Sequence, residues 1–195
     1  MNLNHEALQE ARGLLQSGLS HYESRNMSSA TRSYERVLSI AREHKLPVTE
    51  VKALYGLGNV YKFQFRFREA LTNYQKALSV FRASKNPRYP LDDVLDSKLE
   101  ASILLSLGYS CSRLGQQLKA IEHTKEIMEI RPSFSDAYYN LGCYYAILED
   151  TEKSLEYLKM GKNLFDMNVI RASRTDPDLA HVRNDPRFRK IMYED

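Results

Sequence analysis

An all-α chain of stacked helix pairs is predicted on three observations. First, a glycine recurs in one slot, at Gly18, Gly58, Gly108 and Gly142, which takes up four of the chain's eight glycines. Gly108 and Gly142 are 34 residues apart, Gly58 and Gly108 are 50 apart (34 plus an insertion of 16), and Gly18 precedes Gly58 by 40. Second, a small residue follows each glycine by 12: Ala30, Ala70, Ala120, Ser154. Third, apolar residues around both markers fall at helical spacing. Self-similarity at a period in this range is the signature of a repeat array.

In a 34-residue unit the glycine is position 8 and the small residue position 20. Position 4 is Leu14, Leu54, Leu104, Tyr138, and position 11 is His21, Tyr61, Cys111, Tyr145. Position 24 is Tyr34, Tyr74, Thr124, Leu158, and position 27 is Val37, Ala77, Ile127, Gly161. Positions 4, 8 and 11 share one helix face, and so do 20, 24 and 27. Each unit is therefore two amphipathic helices, A and B, joined by a short turn. Glycine inside a helix costs about 1 kcal/mol against alanine. The expected return is close packing, with positions 8 and 20 letting the two backbones approach.

Along the chain, residues 1–10 extend the first A helix and 11–44 form the first unit. Lys45–Glu50 is expected to lengthen the first connection, with Pro47 ending any helix there. Residues 51–84 form the second unit. The insertion at 85–100 carries Pro87 and Pro90, beyond which a long third A helix is expected from Leu91 or Asp92; the alternative is an extended loop. Units at 101–134 and 135–168 follow. In the tail, 169–195, Asp176-Pro177 and Asp185-Pro186 each read as a helix start, with Asp as N-cap and Pro at the first helical position. Leu179, Val182, Phe188, Ile191 and Met192 offer an apolar stripe to cap the last repeat, which otherwise exposes an unpaired face.

This pattern resembles the tetratricopeptide repeat: Leu57-Gly58, Leu107-Gly108 and Leu141-Gly142, then the residues at 11, 20 and 24, with Pro132 in the closing slot of the third unit. The first unit departs from it, with Ser17 where Leu is expected. The resemblance implies a right-handed superhelix of antiparallel helix pairs with a C-terminal helical cap. It also implies a protein-interaction role and no enzymatic activity. The closing run, Asp176 to Leu179 and Val182 to Phe188, is similar to the segment ending many bacterial members, which points to a bacterial source.

Composition agrees with a soluble folded chain: 43% hydrophobic, 27% charged, net charge +3. That mild charge argues against a nucleic-acid partner. No apolar run reaches the ~18–20 residues of a membrane helix, so no membrane insertion is expected. The first residues lack the basic and apolar regions of a signal peptide. With Cys111 and Cys143 as the two cysteines, the expectation is a cytoplasmic protein with free thiols. No catalytic set, cofactor motif or metal-ligand spacing is present. Gly56-Leu57-Gly58 lacks the strand and third glycine of a dinucleotide loop. Asp176 and Asp178 read as helix caps rather than metal ligands.

The resemblance places positions 2, 5, 9, 12 and 13 of the A helices on the concave face. A merely solvated stripe would be polar there. Instead Leu15, Leu19, Tyr55, Phe63, Leu105, Tyr109 and Tyr139 dominate, joined by Asn59 and Asn140, with Lys52, Lys62 and Arg113 supplying positive charge. These twelve residues form the candidate groove. Its expected ligand is a protein or peptide segment, apolar or aromatic with acidic groups. Members that clamp chaperone C-termini carry Lys and Asn at positions 5 and 9, Asn at 6, then Lys and Arg at 2 and 6 of successive units. In units two to four these slots hold Tyr55, Asn59, Ser106, Asp136 and Asn140, so only Asn59 fits. Two alternatives stand beside the groove. The chain self-associates through repeat ends or edges, or its own tail or long third helix covers the groove.

Overall fold

The computed structural model describes residues 3–84, 93–164 and 167–193. Among them there is no strand. Two compact units, Met1–Ser106 and Leu107–Asp195, divide the chain inside one helix. The first contains α1 (Leu3–Glu23), α2 (Met27–Glu43), α3 (Pro47–Phe63), α4 (Phe67–Ser84) and the opening turns of α5 (Asp93–Arg113). The second contains the end of α5, then α6 (Gln117–Ile130), α7 (Ser135–Ile147), α8 (Thr151–Asn163) and α9 (Met167–Ser173). Two single 3-10 turns, Pro177–Leu179 and Val182–Asn184, lead to α10 (Pro186–Tyr193). Both units are all-α among the described residues and are built of antiparallel helix pairs.

Each A-to-B turn closes the same way. The position-16 amide donates to the position-11 carbonyl: Asn26 to His21 at 2.8 Å, and Arg66 to Tyr61, Gln116 to Cys111 and Asp150 to Tyr145 at 2.9 Å. The residue before it is left-handed: Arg25 (φ 59°), Phe65 (59°), Gly115 (76°), Glu149 (60°). This is the Schellman closure, which favours glycine at that residue. Three of these four turns hold a side chain there instead. Downstream, Asn26 and Asp150 cap α2 and α8 by accepting from the amides of Ser29 and Lys153.

Two sequence expectations need correction. Pro47 does not end a helix; it sits in the first turn of α3, where its missing N–H is not required. Nor is the first connection long. It is the tight turn His44–Leu46, and the extra residues lengthen α2 and α3 to 17 each, against 13 each for α7 and α8. Pro87, Pro90 and the expected start at Leu91 or Asp92 lie outside the described residues. From Asp93 onward the insertion is helix, and α5 runs for 21 residues. Of the two Asp-Pro starts, the second opens α10 while the first opens only the short turn at Pro177.

The core follows the repeat slots. Residues at positions 8, 20, 24 and 27 are buried in all four units. What the glycine admits is chiefly the position-24 side chain. A Cβ at Gly18 would stand 2.8 Å from the Tyr34 ring, and one at Gly56 would stand 2.6 Å from the same ring. Tyr74 occupies the corresponding place at Gly58. In the C-terminal unit a Cβ at Gly108 would stand 2.5 Å from Thr124 Oγ1 and 3.2 Å from the Ala120 carbonyl, and one at Gly142 would stand 2.7 Å from Leu158 Cγ. Backbone approach at position 20 contributes, but the seated side chain is the closer contact.

Two alanine substitutions of opposite sign test this packing. Gly56→Ala adds a carbon where a ring already sits, and is expected to destabilise by about 1–3 kcal/mol. Gly13, with nothing within 4 Å of its Cβ position, is the control: Gly13→Ala is expected to stabilise by up to about 1 kcal/mol. Gly115→Ala, at φ 76°, is expected to cost about 1 kcal/mol through the left-handed backbone alone. Urea unfolding followed by circular dichroism reads all three.

Candidate partner-binding surface

In the N-terminal unit, positions 5, 9 and 12 of α1 and α3, with position 13 of α3, present one surface. Leu15, Leu19 and Tyr22 come from α1, and Tyr55, Asn59, Lys62 and Phe63 from α3. The helices meet where the Tyr22 and Phe63 rings pack edge to face, 6.0 Å between centroids at 73°. The Arg25 guanidinium lies 5.9 Å from the Phe63 centroid, within cation–π range. Tyr55 packs at 5.7 Å on Tyr74, whose hydroxyl donates to Asn59 Oδ1 at 2.7 Å. Asn59 is thereby oriented from beneath. Burial lowers the Lys62 ammonium's pKa below its ordinary value. Burial, then the nearby Tyr55 phenol, raises that of Tyr22. Leu19 and Phe63 remain 43% and 42% exposed, so this apolar surface is open within its own unit. Lys52 is exposed and Leu105 half-buried.

The equivalent stripe of the C-terminal unit carries a different cover. Tyr109 and Arg113 lie on the last turns of α5; Tyr139, Asn140 and Cys143 lie on α7. The tail reaches back onto Tyr139, Cys143 and Arg113. Asp176 Oδ2 accepts from the Tyr139 hydroxyl at 2.7 Å and from Cys143 Sγ at 3.8 Å. Its Oδ1 accepts from the Asp178 amide at 3.0 Å, which starts the Pro177 turn. Arg113 Nη1 stands 3.5 Å from Asp178 Oδ1. Arg183 Nη1 donates to the carbonyls of Ser173 and Asp176, which holds the loop shut. Leu179 and Val182 are fully buried, and Phe188 and Met192 are 1% exposed. Arg187 joins Glu152 of α8 at 2.7 Å and Asp185 at 2.7 Å.

The description "Tetratricopeptide repeat" belongs to the family model that matches residues 51–83 and 135–159. Those two segments are α3–α4 and α7–α8, the pairs carrying Leu57-Gly58 and Leu141-Gly142. Two of the chain's helix pairs match the tetratricopeptide-repeat model. Solved structures similar to the chain include the MamA protein (TM-score 0.65, 19% identity, 93% of this chain and 85% of that one). The apo form of RapI is also similar (TM-score 0.73, 16% identity, 90% and 67%), as is YrrB, a tetratricopeptide protein with an unusual peptide-binding site (0.62, 17%, 97% and 89%). At these identities the likeness is one of fold. No curated protein matches the sequence.

Sequence reasoning assigned Asp176 to capping, which it performs, and missed the contact of its other oxygen with Tyr139 and Cys143. One signal was there to find. The α7 stripe, Tyr139, Cys143 and Ala146, holds no charge, as suits a seat for a packed segment. Tyr22, at position 12 of the same face, joins α1 to Phe63. The thiols are quiet: burial raises the Cys111 pKa, and burial with the carboxylates of Asp176 and Asp178 raises Cys143 further. Thiolates, the reactive form, are thus disfavoured at both. Among the described residues no cluster of three His, Cys, Asp or Glu is arranged to hold a metal ion, and no helix is long and apolar enough to cross a membrane.

Burial also raises the phenol pKa values of Tyr74, Tyr139 and Tyr144 above the ordinary tyrosine value. The folded state keeps protons that the unfolded chain releases above pH about 10. The stabilisation is complete below that pH and is lost as pH rises toward the folded values. The urea midpoint should therefore fall as pH is raised beyond about 10, and Tyr74→Phe should make the fall shallower.

Proposed function

We propose that this protein is an interaction scaffold whose partner site is the α1/α3 surface of its N-terminal unit. The carrying observation is the open apolar patch formed by Leu19 and by Phe63 against Tyr22. Large, stiff aromatic side chains make good anchors, and a contiguous exposed patch of this kind marks a contact site. Lys52, Lys62 and Arg25 give the patch a positive border, which favours an acidic partner and speeds its approach. The partner is a peptide segment carrying apolar side chains next to Asp or Glu. The tail supplies the chemical precedent, since on the matching stripe of the C-terminal unit the occupant is an Asp-Pro-Asp-Leu segment. That stripe, with Tyr139 and Arg113, serves the chain's own cap. Two buried free thiols fit a reducing setting such as the cytoplasm.

Selection from a random peptide library on the full chain tests this reading. Enriched peptides should pair an acidic residue with an apolar one. They should lose at least about tenfold in affinity against the Leu19→Ala/Phe63→Ala double variant, as expected for removing anchor residues. Leu118→Ala, at a residue 76% exposed on α6, should leave binding unchanged. Equal binding to the double variant would remove the α1/α3 surface from consideration.

A further inference from the structure

The C-terminal segment contains a second feature, independent of the partner surface. An open pocket of about 520 Å³ is lined by Arg174, Arg183, Phe188, Arg189 and Tyr193. Phe188 and Tyr193 form one wall, edge to face at 6.1 Å and 78°. The Arg174 guanidinium lies 5.3 Å from the Tyr193 centroid. Arg183 is oriented by the carbonyls of Ser173 and Asp176, which fix its direction without cancelling its charge.

Among the described residues, the carboxylates close by in sequence are engaged elsewhere. Asp185 and Glu152 pair with Arg187, Asp178 with Arg113, and Asp176 with the Tyr139 hydroxyl. Among the described residues none of the three pocket arginines forms an ion pair. Three guanidinium groups border one concavity, and Arg174 and Arg189 are exposed there. A dianion is attracted by three cations more strongly than a single carboxylate is. Guanidinium forks match phosphate oxygens two at a time. The aromatic wall then receives whatever stem carries the group.

We propose that this pocket binds a phosphate monoester. The ester has two possible sources, a phosphorylated side chain of a protein partner or a free small molecule such as a nucleoside monophosphate.

Calorimetric titration of the full chain at low salt tests the proposal, with phenyl phosphate as the probe. Saturable one-to-one binding is expected, tighter than for phenylacetate, and weakening below pH about 6, where the second phosphate charge is lost. Arg189→Ala and Arg174→Ala should each weaken it at least about fivefold, as for loss of a charge-assisted contact. Lys190→Ala removes the same charge from an exposed position of α10 that does not line the pocket, and should leave binding intact. Helicity by circular dichroism guards against unfolding in each variant. Tighter binding of a phosphotyrosine peptide than of a nucleoside monophosphate assigns the protein source; the reverse order assigns the small molecule. Three results overturn the proposal: no saturable binding, equal affinity for phenylacetate, or a loss in Lys190→Ala as large as in Arg189→Ala.

Discussion

A tyrosine ring laid on glycine sets the spacing of helices in the N-terminal unit. Tyr34 of α2 rests against Gly18 of α1 and Gly56 of α3, so one side chain fixes both the helix pair and the junction to the next pair. Any Cβ at either glycine would collide with the ring. Because α1 and α3 are both held to Tyr34, their position-5, 9 and 12 stripes lie side by side. Tyr22 can then meet Phe63. The candidate surface is thus a consequence of a packing constraint beneath it. Tyr74 repeats the arrangement at Gly58, and its hydroxyl steadies Asn59, so the second seat also feeds directly into the surface above.

The same stripe meets two ends. In the N-terminal unit it carries lysines and half-exposed aromatic residues, and among the described residues nothing within that unit covers Leu19 or Phe63. In the C-terminal unit it carries Tyr139 and Cys143, which the tail covers through Asp176. A phenol donating to a carboxylate is a charge-assisted hydrogen bond, stronger than a neutral one. Burial of Leu179 and Val182 adds apolar contact to it. Capping the end of an array and filling a binding stripe are therefore performed by one segment. Its chemistry, acid beside apolar residue, is also that expected of an outside ligand for the open stripe.

Much of the fold was legible because the repeat is spelled in steric terms. Only a residue without a Cβ suits position 8, and only small ones suit position 20, so both appear plainly in the sequence. Helix ends were less legible. Pro47 has two compatible roles, stop and start, and which applies depends on where the preceding helix closes. Here Lys45, in a left-handed conformation, closes it first. For the surface, residue types at helical spacing marked the stripes, but spacing carries no information on what lies over them. The contact of Asp176 with Tyr139 joins residues 37 apart across a turn whose path local sequence does not dictate. Tyr22 was placed on the face by its position-12 spacing, but its ring contact was not legible, for a related reason. Its partner Phe63 lies on another helix, and their meeting follows from Tyr34 holding both helices.

The central claim is that an acidic, apolar peptide occupies the α1/α3 surface while the tail keeps its seat on α7. Nuclear magnetic resonance mapping of a library-selected peptide on the full chain tests it most directly. The account predicts shifts and intermolecular contacts at Leu19, Tyr22, Tyr55 and Phe63, with the signals of Tyr139, Cys143 and Leu179 unmoved. Contacts at Tyr139 and Cys143, accompanied by release of Leu179 from its buried site, would contradict it.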